Sequence, residues 1–223
     1  TPPIHDAPIK IFAPGSISRV TSPFELNMTV VAGLDSKIYM QLIGEDDKVL
    51  VEKTWLRSSA SGGRTAIHEM IEFTPRVTAE SARLVIFTRD QYHRLTALAT
   101  ENLILLKVGE SDIADADNLK EVFALNKPYA DQNLKAGKVV VDGGIRCRVD
   151  CRLVVELVNQ NGEMIARFEE PNIIQASLRY EWVSYEYQVE VKSPTTVRLI
   201  IRAQDIFTAE DIAATSMLVR ILR

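Results

Sequence analysis

Apolar and polar side chains alternate with a period of two along most of this chain. Phe24, Leu26, Met28 and Val30 interleave with Glu25, Asn27 and Thr29, the pattern of a strand with one buried face. The stretch Ile38 to Lys53, IYMQLIGEDDKVLVEK, reads as strand, polar turn, strand, and LVVELVNQNGEMIARF repeats it from Leu153 to Phe168. In the second copy Leu153, Val155 and Leu157 point to one face, while Val154, Glu156 and Val158 point to the other. Asn161-Gly162 supplies the turn, because both residues tolerate the positive φ of tight hairpins. The first copy has Asp46-Asp47 there. Asp enters the left-handed region less readily than Gly, so a looser turn is expected around Glu45 to Lys48, with the return strand starting at Val49.

The same offset of 115 residues recurs near the end of each half, where ARLVIFTRDQY from Ala82 lies against VRLIIRAQDIF from Val197. Arg83, Leu84, Ile86 and Asp90 match Arg198, Leu199, Ile201 and Asp205, and Ala99-Thr100 with Leu103 matches Ala214-Thr215 with Leu218. Matches at both ends of each half predict duplication of a whole domain. In the first half, strands are predicted at Ile9 to Phe12, Phe24 to Val30, both arms of the hairpin, Thr65 to Phe73, Ala82 to Phe87 and Leu103 to Lys107. The second half follows the same order, with Val139 to Val149, its hairpin, Leu178 to Val191, Val197 to Ala203 and Met217 to Leu222. Leu119 to Leu125 suits either one helical turn or an edge strand. About seven short strands per half, with no helix long enough to cover a sheet, predict two all-β sandwiches. Their expected bounds are residues 1–108 and 119–223, joined by the acidic stretch 109–118.

Composition changes this picture little. The 223 residues allow two domains of about 110 residues, each able to bury its own core. Hydrophobic residues make up 46% and charged residues 25%, which are ordinary globular values. The net charge of -4, with arginines dispersed singly, gives no footprint for nucleic acid. No apolar run reaches the roughly 18 residues of a membrane-spanning helix. The opening TPPIHDAP, without an initiating Met, is expected of a chain whose export signal or anchor has been removed.

Pro14-Gly15, the Val-x-Ser-Pro of Val20 to Pro23, a hairpin turn before Val49-Leu50 and a final strand together resemble bacterial immunoglobulin-like modules, including those of spore-germination proteins. The second half departs from the pattern, with Gly137-Lys138 in place of Ser-Pro. The resemblance implies two tandem immunoglobulin-like domains and an exported, envelope-associated module with no catalytic residue to carry over.

Candidate chemistry is sparse. Cys147 and Cys151 lie roughly 13 Å apart on a straight strand, too far to bridge. A bend there closes a disulfide; without it they are two half-buried thiols. His5, His68 and His93 are scattered and match no zinc motif, and neither a nucleophile elbow nor a P-loop is present. Asp112, Asp115 and Asp117, ahead of Glu121, form an acidic cluster that reads either as a calcium site or as a solvated linker, and its spacing is not that of an EF-hand loop. Tyr185 and Tyr187 continue into Val189 and Val191 as core positions, while Tyr180 and Trp182 share the opposite face. Trp55, Tyr180 and Trp182 therefore read as either core-edge aromatics or stacking groups for a sugar or protein partner.

The expectation is a chain without enzymatic activity or cofactor, located outside the cell or at the cell envelope, whose partner is an envelope protein or a glycan. The alternative reading is an accessory carbohydrate-binding module. An enzyme would need a cleft at the domain junction.

Overall fold

A computed structural model describes residues 6–57, 63–116 and 119–222. The chain is all-β, and its one helical turn among the described residues is a 3-10 turn at Lys135–Gly137. It divides into two compact units. The N-terminal unit comprises Asp6–Arg89 and Leu98–Lys120; the C-terminal unit comprises Asp90–Ala97 and the chain from Glu121 onward.

In the N-terminal unit, β1 (Ile9–Ala13), β3 (Phe24–Val31) and β6 (Arg64–Ile71) form one sheet in the order β1-β3-β6. A second runs β5-β4-β7-β8, from β5 (Val49–Leu56) through β4 (Lys37–Gly44) and β7 (Ala79–Arg89) to β8 (Leu95–Leu106), which belongs to this unit from Leu98 onward, with β2 (Ser18–Thr21) parallel to β8. Each sheet buries one face. Phe24, Leu26, Met28 and Val30 of β3 are buried, as are Ile38, Met40 and Leu42 of β4. The intervening residues are at least partly exposed, as period-two alternation requires.

The C-terminal unit has the same strand order. The sheet β9-β11-β14 is built from β9 (Phe123–Lys127), β11 (Lys138–Ile145) and β14 (Glu181–Gln188). The sheet β13-β12-β15-β16 is built from β12 (Cys151–Val158), β13 (Met164–Glu169), β15 (Thr195–Asp205) and β16 (Asp211–Ile221), with β10 (Gln132–Leu134) parallel to β16. Val139, Val141 and Tyr187 of the first sheet meet Leu153, Val155, Leu157, Leu199 and Ile201 of the second in one core. Three strands facing a larger sheet, with the strands distributed in this order, is an immunoglobulin-type sandwich.

Each unit thus has eight strands among the described residues, one more than alternation predicts. The additional strands, β2 and β10, hold four and three residues, too few to show a period. Between the two readings of residues 119–125, the edge strand is correct, shifted to Phe123–Lys127. The first hairpin turn is not the looser one. Gly44 and Lys48 close it with an N–H to carbonyl bond of 2.9 Å, as Asn159 and Glu163 close the second at 3.0 Å. Asp47 takes a left-handed φ of 59° where Gly162 takes 80°, and Asp46 accepts the Lys48 N–H.

β11 stops at Ile145, short of the expected Val149, because the chain bends into a loop closed by a Cys147–Cys151 disulfide with Cα atoms 6.2 Å apart. Both cysteines are buried in the core. The loop is short, so chain entropy gives the bond about 2 kcal/mol. Reduction, or paired replacement by serine, is expected to destabilise the C-terminal unit by that amount, read as a lower urea midpoint, while leaving the N-terminal unit unchanged.

Candidate functional site

The outer face of β14-β11-β9 carries the most distinctive exposed side chains of the C-terminal unit. β14 is an edge strand, and Trp182 projects outward from it with 52% of its surface exposed. Directly across the pair lies Gly144. A Cβ at Gly144 would come within 2.9 Å of the Tyr180 side chain, so this glycine lets the tyrosine lie flat on the sheet. Tyr180 donates its hydroxyl hydrogen to the Glu121 carbonyl, and the Arg146 guanidinium covers its ring at 5.6 Å. Burial pushes the Tyr180 phenol above its ordinary value. One aromatic is therefore fixed and half-buried, and its neighbour on the same face is open to solvent.

Polar groups flank the tryptophan along the same face. Asp142 pairs with Ser184, and its Oδ2 accepts a hydrogen bond from Asn126 Nδ2 at 3.0 Å. A large exposed ring beside a carboxylate–amide pair offers one surface for stacking and several groups for hydroxyl hydrogen bonds. Inward from the strand, Tyr187 is buried and stacks on Phe168 with ring centroids 4.7 Å apart, while Tyr185 is partly buried against the core.

Trp55 does not join this face. It is 8% exposed on β5 of the N-terminal unit, and its indole N–H is donated to Glu69 of β6, which also receives Lys53. Its place in the core removes it from the candidate surface. The Lys53 ammonium, then the indole, hold the Glu69 carboxyl below its ordinary value. Glu69 interrupts the apolar face of its strand because it binds these two donors.

Asp112 and Asp115 are exposed, and Asp112 pairs with Arg19 through backbone bonds of 2.8 Å in both directions. Asp117 lies outside the described residues, as does His5. Among the described residues no three histidine, cysteine, aspartate or glutamate side chains gather as metal ligands.

Two clusters of buried charge went unread in the sequence. Asp90, wholly buried, accepts Arg94 and Arg198 on Oδ2 and the Tyr92 and Arg94 N–H groups on Oδ1. Glu156, 4% exposed, binds Arg167 at 2.6 Å and Arg202 at 2.9 Å, and Arg202 also pairs with Asp211. Both clusters satisfy their charges internally. In the N-terminal unit an open groove of about 450 Å³ is lined by Ser22, Pro23, Leu50, Val51, Glu72, Phe73 and Thr74, and Glu72 is its one charged residue.

No protein-family model matches the chain, and no curated protein does. Among solved structures, dimeric latent PorU from Porphyromonas gingivalis is similar over all of this chain, with 14% identity and a TM-score of 0.32. The chain spans 20% of that PorU chain. CBD12 from CALX1.2 aligns over 91% of this chain and 83% of its own, at 13% identity and a TM-score of 0.25. The CFA/I adhesin CfaE of enterotoxigenic E. coli aligns over 95% and 81%, at 11% and 0.25. At such scores none of these bears on the fold, which rests on the strand order and burial described above.

Proposed function

We propose that the chain is a non-catalytic pair of immunoglobulin-like sandwiches, derived from one duplicated module and exported to the bacterial cell envelope, where it presents a binding surface. The observation that carries the binding role is Trp182, a large aromatic left half-exposed on an edge strand beside a tyrosine flattened over Gly144. Side chains of this size are ordinarily buried, and exposed ones concentrate at binding surfaces.

Duplication is supported by three correspondences: the shared strand order, a register shift at Leu42/Ile43 and again at Leu157/Val158, and left-handed residues at both hairpin turns. Export is supported by the Cys147–Cys151 disulfide, a bond that persists in oxidising compartments. The absence of catalysis is supported by the buried carboxylates Asp90 and Glu156, which are bound to guanidinium partners.

A glycan is favoured over a protein partner by the Asp142–Asn126 pair beside the ring, which supplies both acceptors and donors for sugar hydroxyls. The test is co-sedimentation with isolated envelope polysaccharide and, separately, with envelope protein. Wild-type chain is expected to pellet with the polysaccharide, and Trp182→Ala is expected to lose at least about tenfold in affinity while remaining folded. Pelleting with the protein fraction alone would replace the glycan by a protein partner. Pelleting with either fraction that is indifferent to Trp182→Ala would remove this face from the account.

A further inference from the structure

The turn between β15 and β16 opens on an aspartate whose side chain accepts backbone N–H groups, as the turn between β7 and β8 does, but the two aspartates differ in their other partners. In the β7–β8 tip, Asp90 Oδ1 accepts the N–H of Tyr92 at 2.9 Å and of Arg94 at 3.0 Å, and His93 takes a left-handed φ of 61°. In the β15–β16 tip, 115 residues on, Asp205 Oδ1 accepts the N–H of Phe207 at 2.7 Å and of Thr208 at 3.2 Å, and Ala209 takes a φ of 58°. Each turn is closed by the N–H of its aspartate, Asp90 to the Arg94 carbonyl and Asp205 to the Glu210 carbonyl, both at 2.9 Å, so the β15–β16 turn is one residue longer.

Their surroundings differ. The tip Asp90–Ala97 belongs to the C-terminal compact unit, where Asp90 Oδ2 receives Arg198 Nε at 2.7 Å and Arg94 Nε at 2.8 Å. Arg94 also donates to the Val158 carbonyl, and Arg198 to Ser216 Oγ, so the tip is seated on a polar socket. Asp205 Oδ2, by contrast, makes no hydrogen bond or ion pair among the described residues. Phe207 at its apex is 82% exposed, against 40% for Tyr92 at the equivalent place. The β15–β16 tip also has no arginine of its own, Ala209 standing at the position 115 residues after Arg94.

We propose that the Asp205–Glu210 tip is a docking element for a further β-sandwich module that presents an arginine in the place that Arg198 holds in the C-terminal unit. The arginine enters Asp205 Oδ2 as a charge-assisted hydrogen bond, and the module covers part of Phe207. A second copy of this chain is the poorer occupant. Its N-terminal unit has Arg83 at the position equivalent to Arg198 but the buried Glu101 at that of Ser216, so an arriving Asp205 would meet a second carboxylate. The proposal is independent of the Trp182 face.

The test extends the full chain with a second copy of residues 109–223, which places Gly109 after Arg223 and keeps the 115-residue spacing. Thr208→Ser marks the added tip. Hydrogen exchange of the 205–210 amides is then read against the 90–94 amides of the same molecule. In the unextended chain the 205–210 tip is expected to exchange about a hundredfold faster than the 90–94 tip. In the extended chain it is expected to slow by about tenfold or more, and Asp205→Ala, or Arg198→Gln in the added copy alone, restores the fast rate. An unchanged rate in an extended chain that is folded by circular dichroism overturns the proposal. Slowing in the unextended chain as its concentration rises also overturns it, because the occupant is then a second copy.

Discussion

Asp90→Ala is expected to destabilise the C-terminal unit by about 3 to 5 kcal/mol, because it leaves two buried guanidiniums without their common acceptor. Arg94 and Arg198 are each 5% exposed, and both bind Asp90 Oδ2. The loss exceeds the net worth of the pairs themselves, since most of it is the desolvation of the charges left behind. Urea denaturation of the whole chain, with each unit followed by its own tryptophan, reads it: the Trp182 transition moves and the Trp55 transition does not. A loss under 1 kcal/mol would mean that solvent reaches the arginines.

The same cluster sets a pH dependence. Burial alone would push the Asp90 carboxyl up, but the Arg94 and Arg198 guanidiniums and the Arg94 N–H outweigh it and hold the group below its ordinary value. A carboxyl depressed in the folded state contributes stability that is fully present above its unfolded value, near pH 4, and is lost as the pH falls through the folded value. The C-terminal unit is therefore expected to lose stability on acidification below about pH 4, and Asp90→Asn to flatten that slope.

Trp55→Ala is expected to cost the N-terminal unit about 3 to 5 kcal/mol, the range for truncating a large buried aromatic. The side chain is 8% exposed and its N–H is spent on Glu69. Trp55→Phe keeps most of the packing and loses the hydrogen bond, and is expected to cost about half as much or less. Equal stability of Trp55→Ala and wild type would return Trp55 to the surface.

Trp55 shows where the sequence stops being legible. Its strand was readable, but its burial depends on Glu69, an acid on a strand of the opposing sheet that alternation alone marks as an interruption. Trp182 is the converse: alternation set it on the face opposite Tyr185 and Tyr187 but left core edge and stacking group both open as readings, and in the structure it is exposed. The hairpins were legible because Asn161-Gly162 and the repeated apolar registers are local signals. β2 and β10 were not, because three or four residues pairing in parallel with the last strand of their unit leave no period to read. The cysteine loop was half-legible: spacing forbids a bridge on a straight strand, and only the bend after Ile145 brings the Cα atoms to 6.2 Å. The Asp90 cluster had a sequence trace in the matched Arg83/Arg198 and Asp90/Asp205 positions, but a shared register does not say which aspartate is buried.

The most direct test of the Trp182 face is acrylamide quenching of tryptophan fluorescence in a Trp55→Phe chain, with and without isolated envelope polysaccharide. Alone, Trp182 is expected to be readily quenched, as its 52% exposure requires, and saturating polysaccharide is expected to shield it and shift its emission to the blue. Polysaccharide that pellets the chain yet leaves quenching and emission unchanged would contradict the account, since the ligand would then sit elsewhere on the molecule.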